Sequence, residues 1–154
     1  SGGPGCGKTH LAVAIANSRI LKGEPVLFQV VPDLLDHLRA SFSPNSTVTY
    51  DELFEEVRSA PLLVLDDFGS QSGSPWAEEK LFQIVNHRYN HGLPTVVTTN
   101  LPPERVEPRL LSRIMGGASI WFRITAPDFR TGGIDSRSSE PVRGPVGRRP
   151  PQRR

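Results

Sequence analysis

Cysteine is almost absent from this chain: Cys6 is the only one among 154 residues. A single thiol excludes an internal disulfide and any zinc site built on cysteines, and it fits a cytoplasmic protein. Long apolar runs are missing too. None approaches the roughly 18 residues of a membrane span, so no membrane role is expected. The N-terminus has no basic stretch leading into an apolar one, and no signal peptide is read there. Neither sign of charge dominates, and the formal net charge is only +2. Its placement is uneven. From 128 to 154 seven arginines face three acidic residues, a net +4 that leaves −2 for the first 127 residues. Beyond Arg130 apolar residues nearly vanish in favour of Gly, Pro, Arg and Ser. Burial cannot offset the ordering entropy of such a segment. The expected organisation is one folded domain over 1–130 and a disordered basic tail over 131–154.

The folded part alternates helices with strands. Helices are expected over Lys8–Leu21, with Leu11, Ala14 and Ile15 on its apolar face, and over the stretch opened by Pro32, where Leu34, Leu35 and Leu38 turn inward. Thr49 with Glu52 three residues on is a capping box for a helix over Tyr50–Val57. Longer and shorter helices are expected over Trp76–His91 and Arg109–Met115. The strands are Pro25–Val31, Leu62–Leu65, Thr95–Thr98 and Ser119–Thr125, with Leu62–Leu65 the most apolar and most central. This alternation implies an α/β fold with a central parallel sheet and helices on both faces.

Gly2-Gly3-Pro4-Gly5-Cys6-Gly7-Lys8-Thr9 matches G-x-x-x-x-G-K-[ST] in full. Glycines permit a tight loop whose N–H groups point at phosphate oxygens, and the following helix aims its positive end there. Lys8 would neutralise the terminal phosphates of ATP and the Thr9 hydroxyl would complete a Mg²⁺ shell, with His10 next in line on the helix. A phosphate loop is anchored by a preceding strand. The sequence opens directly on the loop, so the first strand is expected to be missing and the chain to be a fragment.

Leu62–Leu65 runs into Asp66-Asp67. That places carboxylates at the carboxyl edge of the sheet, where open α/β folds bind ligands. Asp66 is suited to hold Mg²⁺ through water, and Asp67 to orient the attacking water. A solvated strand end is the alternative where no phosphate loop precedes it. Asn100, with Thr99 beside it, ends the neighbouring strand and suits a bridge between that water and the γ-phosphate. An ordinary strand-to-turn Asn before Leu101-Pro102-Pro103 is the competing reading. Arg109 and Arg113, spaced i, i+4, share one helix face, as an arginine offered to a neighbouring subunit would, or as plain surface arginines do.

The phosphate loop GGPGCGKTHLAVAIA resembles an AAA+ or RecA-type ATPase. The blocks VPDLLDHLRASF, APLLVLDDFGSQSGSPWAEEKLFQIVNHRYNHGLPTVVTTN, RLLSRI and SIWFRITAPDFR are similar to the DnaC/DnaI helicase loaders and to the IstB transposition ATPases. The likeness runs from Ser1 to about Arg130. It implies a three-layer P-loop NTPase fold of AAA+ type without a helical lid, with Lys8 and Thr9 in Walker A, Asp66 and Asp67 in Walker B, and Asn100 as sensor 1. Arg113 would be an arginine finger working in trans, which implies a homo-oligomer. The resemblance also implies an ATPase of DNA replication that acts on single-stranded DNA and a replicative helicase, or on a transposase in the IstB case. A small-molecule P-loop kinase is the reading from another class. It lacks an evident acceptor pocket or an Arg-bearing lid here. Helices over 32–41 and 49–58 fall where initiator-like relatives carry a DNA-touching insertion, which makes Arg39 and Phe42 candidate DNA contacts, with core packing of Phe42 and a solvated Arg39 as the alternative.

Overall fold

The computed structural model describes residues 1–43, 46–70 and 73–132. Three parallel strands form its sheet in the order β1 (Val26–Val30), β2 (Leu62–Phe68), β3 (Thr95–Thr99), with Val26 opposite Leu62 and Leu63 opposite Thr95. Parallel neighbours need crossovers, and helices supply them. α1 (Lys8–Ile20) lies on one face; α2 (Val31–Ala40), α3 (Tyr50–Ser59), α4 (Pro75–Asn90) and α5 (Pro108–Ile114) build the other. The period-2 alternation of β2 decides which residue meets which layer. Leu63 and Leu65 enter the large core with Leu34, Leu38, Leu81 and Ile84, while Val64 points to α1. This is the three-layer α/β arrangement expected.

Caps set the helix starts. Thr49 N donates to Glu52 Oε2 at 3.0 Å while Glu52 N donates to Thr49 Oγ1 at 3.3 Å. The backbone N–H of Thr49, then its hydroxyl, holds the Glu52 carboxyl below its usual range. α4 starts at Pro75 behind Ser74, whose hydroxyl accepts from Ala77 N.

Two expectations are corrected. The inward face of α1 is Ala12 and Ala16, not Leu11, Ala14 and Ile15; Leu11 and Ile15 are about half exposed. Small side chains let the helix sit close on the sheet, and bulk is turned outward. The strand expected over 119–125 reduces to one parallel bridge, Gly2 with Ile124. Among the described residues its pairing is confined to Ser1 and Gly2, with Ser1 N donating to Phe122 O at 2.6 Å and Ser1 O accepting from Ile124 N at 2.7 Å. Between β3 and 119–123 lies a groove of about 590 Å³, bounded by Ile15, Val97, Trp121 and Phe122 among others. A strand forms a ladder only where a neighbour supplies the other half of the hydrogen bonds.

The tail expected from 131 onward lies outside the described residues, except that the backbone of 131 and 132 closes a short helix, α6 (Phe129–Gly132).

Candidate functional site

The loop Gly2–Thr9 is pinned at its entry between two neighbours. Gly2 N donates to Thr99 O at 3.2 Å on one side, and Gly2 bridges Ile124 on the other. Gly7 is the N-cap of α1 at φ 94°, a backbone conformation that favours glycine, and it brings no side chain to the helix end. No acidic residue stands in the first turn. The first N–H groups of α1 and the positive end of its dipole therefore face an incoming anion without a competing carboxylate. Gly3, Pro4, Thr9 and His10 are exposed, while Cys6 is buried beneath the loop. Lys8 Nζ donates to Gly3 O at 2.7 Å and lies 4.0 Å from Cys6 Sγ, so the ammonium folds across the loop.

The two acids meet this loop from the end of β2. Thr9 Oγ1 lies 3.1 and 3.0 Å from the two carboxylate oxygens of Asp66. Asp66 is buried, and among the described residues no cation forms an ion pair with it. A buried carboxylate held only by hydroxyls is costly, and with a hydroxyl oxygen at 3 Å it makes a hard oxygen donor set of the kind Mg²⁺ takes. Thr9 and Asp66 fit that ion. When bound it would neutralise charge on the phosphoryl group.

Asp67 adopts φ 58°, the sole positive φ among the described non-glycine residues. Such a conformation costs on the order of 1 kcal/mol, and the β2–β3 register shifts between Leu65 and Phe68 at the same point. The distortion places its carboxylate against β3, where Asn100 Nδ2 donates to Asp67 Oδ1 at 3.3 Å. Asn100 is exposed and its amide orients this carboxylate. Asp67 and Asn100 together present a carboxylate and an amide side by side, groups able to hold a water molecule.

Thr98 is the residue that the sequence reading missed. Its hydroxyl donates to Asp66 Oδ1 at 2.6 Å and accepts from Asp67 N at 2.9 Å, so one buried side chain fixes both acids. The signal was present in TVVTTN, because Thr98 and Asn100 share a strand face by the period of two. Thr99, taken as Asn100's companion, is engaged elsewhere: its hydroxyl accepts from Leu101 N and its carbonyl from Gly2 N.

Arg113 sits apart from this cluster. Glu107 caps α5, accepting from Leu110 N at 2.9 Å. Partial burial works to raise the Glu107 carboxyl, but hydrogen bonds from Leu110 and Arg109 outweigh it and hold the group below its usual range. α5 packs on α4, where Arg113 Nε donates to Asn86 Oδ1 at 2.8 Å and its guanidinium lies 5.2 Å from the Tyr89 ring. Arg109 instead covers the Phe82 ring at 4.7 Å and bonds Glu107. None of these contacts involves Lys8, Thr9, Asp66 or Asp67.

Arg39 and Phe42 lie at the junction of α2 and α3. Phe42 is 59% exposed and stacks on Tyr50 at 4.6 Å, which stacks on Phe54 at 5.4 Å. Arg39 lies 5.0 Å over Trp76 and pairs with Asp36, and the Lys80 ammonium lies 5.2 Å from the Tyr50 ring. Phe42 is therefore a surface ring and not a core residue.

Known proteins share this architecture. The chain is 33% identical over 134 residues to the replicative helicase loader DnaC of Buchnera aphidicola subsp. Acyrthosiphon pisum (strain APS), covering 84% of this chain and 54% of that protein. It is 33% identical over 135 residues to DnaC of Escherichia coli (strain K12), covering 85% and 55%. The chain thus spans about half the length of these relatives. Among solved structures, a crystal structure of the DnaC helicase loader superposes with a TM-score of 0.70 at 30% identity, over 80% of this chain and 75% of that one. AMPPCP-bound DnaA from Aquifex aeolicus superposes at 0.69 and 28% identity, over 80% and 38%. These likenesses place the fold among P-loop proteins of AAA+ type. The family model of the IstB-like ATP binding proteins matches residues 1–120; with the phosphate loop and its paired acids in place, the chain belongs to the IstB-like ATP-binding family.

Proposed function

We propose that residues 1–130 form an ATPase domain of helicase-loader type, which hydrolyses ATP with Mg²⁺ and couples nucleotide state to single-stranded DNA and to a partner protein. The observation that carries the reading is the hydrogen-bonded series Thr9–Asp66–Thr98–Asp67–Asn100, which links the phosphate loop to two acids and a polar strand end. Lys8 and the loop N–H groups bind the phosphates, Thr9 and Asp66 hold the metal, and Asp67, oriented by Asn100, positions water. Arg113 serves the site of a neighbouring copy, which makes the active form a homo-oligomer. The DnaC relatives are named for a replicative helicase, and that helicase is the partner proposed here. A transposase is the second reading, favoured by the IstB-like family match. Either role places the protein in the cytoplasm with DNA.

The exposed Phe42 ring on Tyr50 and Phe54, flanked by Arg39 and Lys80, has the composition of a single-strand platform, with aromatic faces for bases and cations for phosphates. The expected result is that single-stranded DNA stimulates ATP turnover and that the double variant Phe42→Ala, Arg39→Ala binds a labelled oligothymidine about tenfold more weakly. Fluorescence anisotropy in the presence of ATP measures this. Equal affinity in wild type and variant would remove DNA from this surface.

A further inference from the structure

The phosphate loop is clasped on one side by the chain that follows Ile124. Phe129 N donates to Gly5 O at 3.1 Å. The Asp128 carboxylate lies directly against Gly5, where an added Cβ would meet Asp128 Oδ1 at 1.6 Å. Arg130 N donates to the same oxygen at 2.9 Å and turns the backbone into α6. Gly5, at φ 64°, is thus a glycine for two reasons, its conformation and the carboxylate on its open side. These bonds fix where the Phe129 side chain begins but leave its ring bare. Phe129 is 86% exposed and belongs to neither core cluster.

Strand order indicates which end of the phosphate loop carries that residue. The loop enters the sheet between β3 on one side and Ile124 on the other. Asp66 and Asp67 on β2, and Asn100 just past β3, all lie on the β3 side. The terminal phosphate of a nucleotide belongs with those groups, because the metal ligands and the water-positioning carboxylate stand there. A phosphate chain laid across the loop in that sense directs its ribose and base toward the 124–130 side, where the clasp ends in an unburied aromatic ring.

We propose that Phe129 is the base-stacking wall of the nucleotide site, held there by the bond from its N–H to Gly5 O. The inference rests on the ATP reading of the loop and adds to it the means by which the base is recognised, an aromatic face. Stacking on such a face is tolerant of base identity, and it acts on nucleotides alone, since inorganic triphosphate has no ring to stack.

Isothermal titration of the full chain with Mg²⁺–ATP and, separately, with Mg²⁺–triphosphate tests this in wild type, Phe129→Ala and Phe129→Trp. Phe129→Ala should weaken ATP about tenfold and leave triphosphate within about twofold. Phe129→Trp should restore ATP affinity, with added indole fluorescence that ATP quenches and triphosphate does not. If ATP affinity is unchanged in Phe129→Ala, or if both ligands weaken equally, the ring is not a base wall and the proposal is overturned. A wild type that binds neither ligand would instead remove the ATP reading, and the stacking role with it.

Discussion

Arg113→Ala is expected to lower ATP turnover by about 10³, the lower end of what an arginine finger supplies, while ATP binding stays near wild type. The geometry behind this is that the guanidinium's contacts lie on α4 and α5 and none is with its own phosphate loop. Arg113 is bonded to Asn86 and lies on Tyr89, both on α4, whereas the loop is held between β3 and Ile124. An arginine so placed can complete the site of another copy. Turnover should therefore rise with protein concentration. Mixing Arg113→Ala with Lys8→Ala should recover activity, because one variant keeps a usable loop and the other a usable finger. A merely structural arginine would lower the melting temperature and show no recovery on mixing. Turnover independent of concentration, with Arg113→Ala silent, would make the protein a self-contained P-loop enzyme and reopen the kinase reading.

Arg88→Ala should unfold the domain at moderate temperature. Arg88 is almost wholly buried, at 1% exposure, and its donors are spent on four acceptors. Nη1 bonds Ala60 O at 2.7 Å and Arg58 O at 3.1 Å, Nη2 bonds Pro94 O at 2.6 Å, and Nε bonds Thr95 Oγ1 at 2.8 Å. One side chain on α4 thereby ties the end of α3 to the start of β3. Burial pushes its pKa down to about 10, so it remains charged at neutral pH. Alanine would leave buried carbonyls unsatisfied around a cavity, a loss of about 3–5 kcal/mol. In a domain this size that lowers the melting temperature by on the order of 10 °C. Arg88→Lys keeps the charge without the planar fork and should fall between. Circular dichroism melts measure both. An Arg88→Ala variant that melts within about 2 °C of wild type would show that this guanidinium does not hold the strands in place.

Legibility followed the physics of each element. The phosphate loop and the Asp66-Asp67 strand end were readable because their chemistry is local in the chain. β2 was readable because burial on both faces demands a continuous apolar run. Arg88 was not, since a polar residue within a helix pattern gives no sign that four acceptors, from the end of α3 and the start of β3, converge on it. Thr98 was hidden for a similar reason: its two bonds cross from β3 to β2, and only the pairing reveals them. Ser119–Thr125 carries the residues of a strand, yet forms a single bridge because pairing needs a neighbour as well as a propensity. Residue type alone leaves Phe42 open between core and surface, and only the contacts with Tyr50 and Phe54 show it as the outermost ring of a stack.

The central claim, that the Thr9–Asp66–Asp67–Asn100 cluster is an ATP-hydrolysing centre, is tested most directly by Asp67→Asn, with ATP binding and phosphate release measured on the same sample. Asp67 touches the proposed water and not the phosphate loop, so the variant should bind ATP within a few-fold of wild type. Phosphate release should fall by about 10²–10³, the contribution of a positioned base. Undiminished phosphate release from Asp67→Asn would contradict the account.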